Sequence, residues 1–376
     1  MMHIKPNNSF PFAIDELIER TPLMLDEKLV SRQVQNKTIL VTGAAGSIGS
    51  EIVRQLIRCS PRKLILLDQA ETSLYELELE LRENYNYDHF DLIIGNISDK
   101  ERVNSIFKQF QPAVVYHTAA YKHVPVMEFN PGEAVRTNIL GTKIVAEAAD
   151  ENQVKKFVHL SSDKAVNPSS VMGVSKRITE LYLQAKNDKS QTAFVTTRFG
   201  NVLGSSGSVV PIFMKQIDAG GPVTVTHPEV SRYFMTISEA CQLVLEAGAM
   251  GQGGEIYLFE MGEPIKIADL AQKMIRLFGL EPGKDIQIEY TRLRPGEKLH
   301  EELLNDMEQS ISTTHSKIRV AGQVNHRHPN ILRGIEALEK LYRTWGNETL
   351  IKKMEKLIPE FKSRNIPTGE NNPPRS

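Results

Sequence analysis

The stretch of sequence that decides the fold is Thr38-Ile39-Leu40-Val41-Thr42-Gly43-Ala44-Ala45-Gly46-Ser47-Ile48-Gly49. An apolar run typical of a buried strand passes through three glycines into a segment with helical spacing. Such glycines permit a tight turn and the close approach of a pyrophosphate, and the helix N-terminus offers N–H groups and a positive dipole end. The stretch therefore predicts a dinucleotide-binding turn, with a purely structural glycine turn as the alternative. The residues predicted to contact the cofactor here are Gly43, Ala45, Gly46, Ser47, Ile48 and Gly49.

Apolar runs alternate with helical patterns from this stretch up to Asn201. The runs that predict buried strands are 38–41, 63–67, 90–94, 113–117, 156–160 and 192–197. The segments that predict helices between them include 50–58, 73–85, 102–110 and 134–150. This alternation predicts an α/β fold of the Rossmann type, with a doubly wound parallel sheet.

The pattern changes after Asn201, where glycines and a proline punctuate shorter elements before helical patterns near 238–248 and 267–278. We expect a smaller C-terminal α/β substrate-binding domain over 201–345 that covers the cleft, with part of it packing back into the Rossmann domain. The Rossmann domain is predicted over 37–200, after an N-terminal arm over 1–36. A C-terminal helix and a polar, proline-rich, frayed tail are expected over 346–376.

The ends of later strands supply the other predicted cofactor contacts. Asp68 ends the second strand, where a carboxylate can accept hydrogen bonds from both hydroxyls of an adenosine ribose and would repel a 2′-phosphate. NAD is therefore favoured over NADP, unless Asp68 only caps the following turn. Asn96 and Ile97 follow the third strand, where the adenine is expected. After the fourth strand, the small side chains of Ala119 and Ala120 let the backbone lie against a dinucleotide.

Length, charge and cysteine content exclude several other classes of protein. The chain has 376 residues, 40% of them apolar, which suits a folded protein of two closely joined domains. Its formal net charge is -1 and it has no long basic run, so nothing predicts nucleic-acid binding. Cys59 and Cys241 are too few for a disulfide framework and lack the spacing of a metal site. With no signal peptide and no apolar run of about 18 residues, we expect a cytoplasmic protein without a membrane segment.

The fifth predicted strand leads into Ser161-Ser162-Asp163-Lys164, and Met172 follows four residues before Lys176. This is the layout of a short-chain dehydrogenase, except that Met172 stands where that class keeps its catalytic tyrosine. A thioether can neither give nor take a proton, so any proton transfer must use other groups. A second motif, Tyr182-x-x-x-Lys186, lies about 15 Å further along the same predicted helix and is expected to be a surface coincidence.

Several longer strings make the resemblance specific. They are Ala119-Ala120-Tyr121-Lys122-His123-Val124-Pro125, Ser162-Asp163-Lys164-Ala165, Met172-Gly173-Val174-Ser175-Lys176-Arg177, Arg198-Phe199-Gly200-Asn201-Val202, Arg232-Tyr233-Phe234-Met235-Thr236 and Arg294-Pro295-Gly296-Glu297-Lys298. With the glycine turn and the arm Glu19-Arg20-Thr21-Pro22-Leu23, they resemble the polysaccharide-biosynthesis branch of extended short-chain dehydrogenases over about residues 15–310. Within that branch, the sequence is similar to configuration-retaining UDP-N-acetylglucosamine 4,6-dehydratases, and Met172 is the most discriminating feature.

Larger members of that group carry an N-terminal membrane portion that is not in this sequence. We therefore expect either a naturally short form or a shortened version of a longer protein. The resemblance implies NAD-dependent conversion of UDP-N-acetylglucosamine to a 4-keto-6-deoxy sugar with retention at carbon 5, for bacterial surface glycans. It also leads us to expect a homo-oligomer.

The chemistry of such a reaction assigns a role to each candidate catalytic residue. The carbon 5 hydrogen becomes removable only when carbon 4 is transiently a ketone. Lys164, if neutral in a dry site, is predicted to remove it, and Asp163, if protonated, to donate to the departing carbon 6 hydroxyl. For the carbon 4 step, Lys176 is predicted to hold the nicotinamide ribose and activate a bound water, while Ser162 positions the sugar hydroxyl. Met172 is expected to fill space.

Contacts to the UDP-sugar are expected from cationic and polar side chains. The predicted substrate-binding residues are Lys122, His123, Asn138, Asn201, Arg232, Arg294 and Glu297. Arginines suit phosphate oxygens and a carboxylate suits ribose hydroxyls. Lys122 and His123 are expected to point toward the cleft, unless they form a solvated turn, and Asn138 is expected to hold the backbone around the site.

Three other functions remain open from the sequence. An inverting dehydratase and a 4-epimerase are alternative enzymes acting on a UDP-sugar, although Asp163-Lys164 argues against epimerisation and Met172 against inversion. A non-catalytic NAD-binding scaffold is an alternative of a different class, since a fold alone does not imply turnover.

Overall fold

A β-sheet forms the centre of this computed structural model, which describes residues 14–18, 25–304, 309–322, 330–343 and 346–363. Within those ranges the strands are β1 (Thr38–Thr42), β2 (Lys63–Asp68), β3 (Phe90–Ile94), β4 (Val114–His117), β5 (Lys156–Leu160), β6 (Ala193–Arg198), β7 (Asn201–Val202), β8 (Val223–Val225), β9 (Ser231–Arg232), β10 (Phe234–Met235), β11 (Ile256–Phe259), β12 (Ile265–Lys266), β13 (Ile288–Tyr290), β14 (Ser310–Ser312) and β15 (Ile318–Ala321). Nine of these described strands form one sheet in the order β14-β15-β11-β6-β5-β4-β1-β2-β3.

Strands β1 to β6 and β11 run parallel in this sheet, and β15 and β14 add an antiparallel edge. The prediction of a doubly wound parallel α/β sheet is confirmed. All six strands predicted before Asn201 form, with ends within one residue of those expected. They were predictable because helices cover both faces of a parallel sheet, so that β1, for example, is buried at every position and reads as a continuous apolar run.

Helices cover the sheet on both faces. The described α-helices of the whole fold are α1 (Glu27–Val34), α2 (Ser47–Ile57), α3 (Glu71–Tyr85), α4 (Lys100–Phe110), α5 (Val124–Phe129), α6 (Pro131–Glu133), α7 (Thr142–Glu151), α8 (Val171–Asn187), α9 (Val209–Asp218), α10 (Ile237–Met250), α11 (Ile267–Leu277), α12 (Ile331–Leu341) and α13 (Asn347–Leu357). One core contains side chains of α1, α2, α3 and α10, and the other contains those of α4, α7, α8, α12 and α13. The predicted C-terminal helix is α13, whereas the predicted frayed tail lies outside the described residues.

A separate, smaller core lies beyond the C-terminal ends of the parallel strands. It joins α9, α11, β8 and β13 with Leu17 and Ile18 of the N-terminal arm. The arm also supplies α1, whose Val30 and Val34 pack in the core beside α10. The string 19–23, cited for its resemblance, falls outside the described ranges. Because β11, β14 and β15 belong to the main sheet, part of the region after Asn201 does pack against the Rossmann strands.

The segment predicted as one helix over 134–150 begins with a π-helical turn, Ala134–Gly141, before α7. Gly141 faces Ile97 closely, and a Cβ at Gly141 would lie 2.7 Å from Ile97 Cδ1. Wide turns of this kind occur mostly at functional sites. This one carries the buried Asn138.

One expectation about α8 is wrong. Tyr182 was expected on the surface, but its side chain is buried in the core against which α8 packs. Its ring continues the apolar face of the helix, and burial raises the pKa of its hydroxyl. Among the described residues, no helix is both long and apolar enough to cross a bilayer.

Candidate active site

A cavity of about 680 Å³ lies between the carboxyl ends of the parallel strands and the smaller core. Ligands of open α/β sheets bind at this edge. The glycine turn, the ends of β2, β4 and β5, and the N-terminal part of α8 form one wall. The other wall comes from segments beside the smaller core, and it includes Arg232, Arg294, Gly296, Glu297 and Glu301. One continuous space therefore joins the dinucleotide turn to Lys164 and Met172.

The glycine turn has the geometry that a pyrophosphate requires. Gly43 has a φ of +69°, and a Cβ there would lie 2.7 Å from the backbone nitrogen of Ala119. A side chain at Gly49 would collide with the carbonyl of Gly43. Helix α2 begins at Ser47 without a side-chain cap, so its first turn presents N–H groups to the cavity. Gly43, Gly46, Ser47, Ile48 and Gly49 all line it.

Asp68 stands beside this turn, as predicted. Its Oδ2 accepts a hydrogen bond from the Ala45 N–H at 3.0 Å, and its Oδ1 accepts one from the Ala70 N–H at 3.0 Å. Asp68 lines the cavity, whereas Ala45 does not, so the Ala45 N–H orients the carboxylate rather than contacting a ligand. A carboxylate fixed in this way fits a dinucleotide ribose without a 2′-phosphate.

The residues predicted to contact the dinucleotide after β3 and β4 are also on the wall. Asn96, Ile97, Ala119 and Ala120 line the cavity. The Asn96 side chain donates to Gln69 Oε1 at 2.9 Å and accepts from the Ser98 N–H at 2.8 Å, which fixes the loop after β3.

Asn138 is a positioning residue. Its Oδ1 accepts from the Tyr121 N–H at 2.8 Å, and its Nδ2 donates to the Tyr121 carbonyl at 3.0 Å and to Ser175 Oγ at 2.9 Å. The side chain is buried and is not on the cavity wall. This geometry agrees with the prediction that Asn138 holds the backbone, and protein groups already use the amide that the predicted substrate contact would need.

Lys164 lies at the centre of a buried polar cluster on the cavity wall. Its Nζ is 3.0 Å from Asp163 Oδ1, 3.0 Å from Asn201 Oδ1 and 3.8 Å from Glu301 Oε1. Burial alone would lower the pKa of this amine, but the nearby charges of Asp163 and Glu301 outweigh burial and raise it. The raised pKa favours the ammonium form of Lys164, whereas the role predicted from the sequence requires the neutral amine.

Asp163 lies one layer behind Lys164. Its side chain is fully buried and is not on the cavity wall. Oδ1 accepts from Ser162 Oγ at 2.8 Å as well as from Lys164, which is the arrangement of a carboxylate, and Oδ2 has no hydrogen-bond partner among the described residues. The predicted direct donation from a protonated Asp163 to the sugar does not fit this position. Asp163 instead holds Lys164.

Met172 and Lys176 share the opposite part of the wall. Met172 is buried and faces the cavity, as a space-filling side chain would. Lys176 Nζ donates to the Leu160 carbonyl at 2.9 Å. Burial lowers the pKa of Lys176 to about 8, although the charge of Glu180 opposes this shift. Unlike Lys164, Lys176 can therefore be neutral near physiological pH.

The residues predicted to bind phosphate and ribose differ in how far their side chains are exposed and bonded to other protein groups. Arg294 is exposed at the cavity mouth. Arg232 is almost fully buried, and its two terminal nitrogens donate to three carbonyls and to Glu297 Oε1. Glu297 also accepts from Thr226 Oγ1 and the Arg294 N–H. Arg232 and Glu297 thus bond mainly to protein groups of the wall, whereas the Arg294 side chain is exposed beside the cavity.

Lys122 and His123 reach the cavity from the loop after β4. Lys122 Nζ donates to Ser205 Oγ at 3.2 Å, and burial lowers its pKa. The His123 ring packs on Gly207, whose φ is +68° and whose Cβ would lie 2.6 Å from it. Both residues are exposed where they line the cavity, so the alternative of a solvated turn stays open beside the predicted contact with the cleft.

Two features of the site were missed from the sequence. Glu301 brings a buried carboxyl to the wall beside Lys164. The loop after β7 crosses to the glycine turn, where the Ser206 N–H donates to Ser47 Oγ at 3.1 Å. Neither follows a recognisable spacing, since Glu301 is one of several glutamates in its segment. No group of three or more metal-ligating side chains occurs in the described part of the chain.

A family model described as polysaccharide biosynthesis protein matches residues 39–323. The chain belongs to this family. The capsular polysaccharide biosynthesis protein CapD of Staphylococcus aureus is 54% identical over 325 residues, which are 86% of this chain and 54% of CapD. The inverting UDP-N-acetylglucosamine 4,6-dehydratase of Campylobacter jejuni is 35% identical over 274 residues, 72% of this chain and 78% of that enzyme. The chain spans about half the length of the first curated relatives it matches.

Solved structures agree with the fold. Pen from Bacillus thuringiensis is 34% identical, with a TM-score of 0.71 over 77% of this chain and 90% of Pen. The UDP-glucose 4-epimerase of Thermus thermophilus, solved in complex with NAD, is 24% identical, with a TM-score of 0.61 over 71% of this chain and 90% of the epimerase. At that identity the epimerase supports the fold alone, and this is the extended short-chain dehydrogenase fold predicted from the sequence. Relatives of the chain thus include nucleotide-sugar dehydratases and epimerases.

Proposed function

We propose that the protein is an NAD-dependent 4,6-dehydratase of UDP-N-acetylglucosamine that retains the configuration at carbon 5. The observation that carries the proposal is the continuous cavity wall from the glycine turn to the Lys164 cluster, with Met172 where a tyrosine would stand. A simple 4-epimerase needs redox chemistry at carbon 4 but no buried amine and carboxylates poised for elimination.

The cofactor half of the wall suits NAD. The uncapped first turn of α2 suits a pyrophosphate, and the Asp68 carboxylate disfavours a 2′-phosphate. When bound there, a nicotinamide supplies the hydride acceptor and donor that a transient carbon 4 ketone requires. Side chains of the protein must therefore carry out the proton transfers.

Lys176 is the group best suited to the proton of the carbon 4 hydroxyl. Its lowered pKa provides a neutral amine near pH 8, and it lies on the wall beside Ser162 and Met172. The thioether of Met172 cannot relay a proton, so transfer to Lys176 runs directly or through one water. This arrangement takes the place of the missing tyrosine.

Lys164 is the proposed base at carbon 5. In the resting site it is an ammonium, but transfer of one proton along its 3.0 Å hydrogen bond to Asp163 leaves a neutral amine on the wall. That amine removes the carbon 5 hydrogen, and the electron pair of the broken C–H bond becomes part of the carbon 5–carbon 6 double bond as water leaves. Hydride return to carbon 6 and proton return to carbon 5 complete the reaction without external reductant.

Retention requires that carbon 5 receive its proton on the face from which the first one left. A single base that removes one proton and delivers another on the same face meets this requirement, and Asp163 and Asn201 hold the Lys164 amine in one place. Inversion needs a second acid on the opposite face. The position that a tyrosine would occupy holds Met172, which cannot serve as that acid.

The proposed function is tested by NMR of the protein incubated with NAD and UDP-N-acetylglucosamine in heavy water. We expect a 4-keto-6-deoxy product with solvent deuterium at carbon 5 and ring couplings of the retained configuration. Couplings of the inverted ring would make it an inverting dehydratase, and exchange of configuration at carbon 4 with the carbon 6 hydroxyl intact would make it an epimerase. NAD binding without any change in the sugar would support the scaffold alternative.

The pH dependence of the first step tests the role of Lys176. A lysine whose folded pKa is lowered to about 8 is neutral above that pH and charged below it. The single-turnover rate of nicotinamide reduction is therefore expected to rise through about pH 8 and then level off. Lys176→Arg, which stays charged, should slow this step by about 10²-fold or more and remove the rise. Stopped-flow absorbance measures both, and a wild-type rate that is flat across this range would refute the assignment.

A further inference from the structure

Glu301 is a buried carboxyl that has no role in the dehydratase reaction proposed above. Its side chain is 4% exposed, and the residue lines the cavity beside Lys164. Its Oε1 is 3.8 Å from Lys164 Nζ and 3.8 Å from Arg232 Nε, which is too long for a hydrogen bond. Its Oε2 is buried without a hydrogen-bond partner among the described residues. A buried polar atom left in this way calls for a ligand or a function.

The backbone around Glu301 is held from two sides. Arg232 donates to the carbonyl of Lys298 at 2.8 Å and to that of Leu299 at 3.1 Å. The Ser231 N–H donates to the Leu299 carbonyl at 3.1 Å, and Lys298 Nζ donates to the Val166 carbonyl at 3.0 Å. The segment is thus fixed both to β9 and to the loop that follows Asp163. This fixing is what a group that must meet a substrate atom requires.

The charge environment allows the Glu301 carboxyl to carry a proton. Burial raises its pKa above the ordinary value, while the cations Lys164 and Arg232 oppose the rise and Asp163 adds to it. A carboxyl with a raised pKa in a closed site is suited to general-acid catalysis. Asp163, the acid predicted from the sequence, is behind the wall, whereas Glu301 is on it.

We propose that Glu301 is the acid that protonates the departing carbon 6 hydroxyl while Lys164 removes and returns the carbon 5 hydrogen. This inference rests on the dehydratase function proposed above. The O–H bond of Glu301 breaks as its proton joins the carbon 6 oxygen, the carbon 6–oxygen bond breaks, and water leaves. The carboxylate regains a proton from solvent, matching the one released from the carbon 4 hydroxyl, so the cycle closes without any other reactant.

The decisive experiment separates carbon 5 exchange from loss of water. Glu301→Gln keeps the shape of the side chain but cannot donate a carboxylic proton. With UDP-N-acetylglucosamine in heavy water, we expect this variant still to reduce the nicotinamide and to place deuterium at carbon 5 of recovered UDP-sugar. Formation of the 4-keto-6-deoxy product should fall by at least about 10²-fold. Nicotinamide absorbance reports reduction of the cofactor, and NMR reports both deuterium at carbon 5 and formation of the 4-keto-6-deoxy product.

Two further variants make the result specific. Glu302→Gln alters the neighbouring, half-exposed carboxylate that binds Asn167, and it should behave like wild type. Glu301→Asp keeps an acid of shorter reach and should recover part of the product lost in Glu301→Gln. Product within about three-fold of wild type in Glu301→Gln, or equal loss in Glu301→Asp, would overturn the assignment. So would loss of carbon 5 exchange together with product in a folded Glu301→Gln protein, because that is the signature of a positioning residue. If wild type forms no 4-keto-6-deoxy sugar, the dehydratase function itself fails.

Discussion

Lys164→Arg is expected to abolish formation of the 4-keto-6-deoxy sugar, with kcat lowered by about 10³-fold or more. Arginine keeps a positive charge beside Asp163, so the buried Asp163 carboxylate keeps a cationic partner. It does not release its proton near neutral pH, so it cannot take the carbon 5 hydrogen. NMR in heavy water should show neither product nor deuterium at carbon 5, while nicotinamide reduction continues.

Lys164→Met provides the comparison that separates charge from basicity. It should lose product as fully as Lys164→Arg, but it also leaves Asp163 and Glu301 buried without their shared cation, so its thermal unfolding midpoint should fall further. Lys63→Met, which removes an exposed lysine paired with Asp91, serves as the control and should leave turnover unchanged. If Lys164→Arg turns over within about ten-fold of wild type, Lys164 is not the base. Normal turnover in both Lys164→Ala and Asp163→Asn would refute the roles given to this pair.

The sequence predicts the parallel strands up to β6 well because the residues of each strand themselves indicate strand structure. Strands β1, β2, β4, β5 and β6 are largely buried and therefore read as apolar runs between helices, whereas β3 lies at the sheet edge and is only partly buried. It was harder to predict from the sequence that β11, β14 and β15 join the same sheet. These strands are short, and β14 and β15 pair antiparallel at an edge, so only tertiary contacts decide where they lie.

Local geometry explains why the paired roles of Asp163 and Lys164 were only half predictable. Both residues lie in a 3-10 turn, Asp163–Ala165, in which neighbouring side chains point about 120° apart. Only one of two adjacent residues can then face the cavity, and that residue is Lys164. The protonation state was equally inaccessible, because Glu301 is far away in sequence and only the fold brings its charge to Lys164.

A buried ion-pair network beneath the site supports the second prediction with a large effect. Glu180 is fully buried, and its carboxylate accepts hydrogen bonds from Arg198 Nε at 3.0 Å and from an Arg198 terminal nitrogen at 2.7 Å. Arg177 and Ser161 also donate to it, at 3.1 Å and 2.6 Å. Burial opposes ionisation of Glu180, but the two arginines outweigh burial and lower its pKa.

Glu180→Gln is expected to lower the free energy of unfolding by about 3–5 kcal/mol, because the buried Arg198 guanidinium loses the negative charge that binds it through two hydrogen bonds. Urea denaturation followed by circular dichroism measures the loss. Since the folded pKa of Glu180 lies below its ordinary value, the contribution of the network is present above about pH 4.5 and is lost as pH falls through the folded pKa.

Glu348→Gln, in an exposed pair with Lys352, should leave the denaturation midpoint unchanged. The double variant Glu180→Leu with Arg198→Met removes both charges, so it should be more stable than Glu180→Gln. A Glu180→Gln protein within about 1 kcal/mol of wild type would mean that water reaches Arg198 and that the network is not closed.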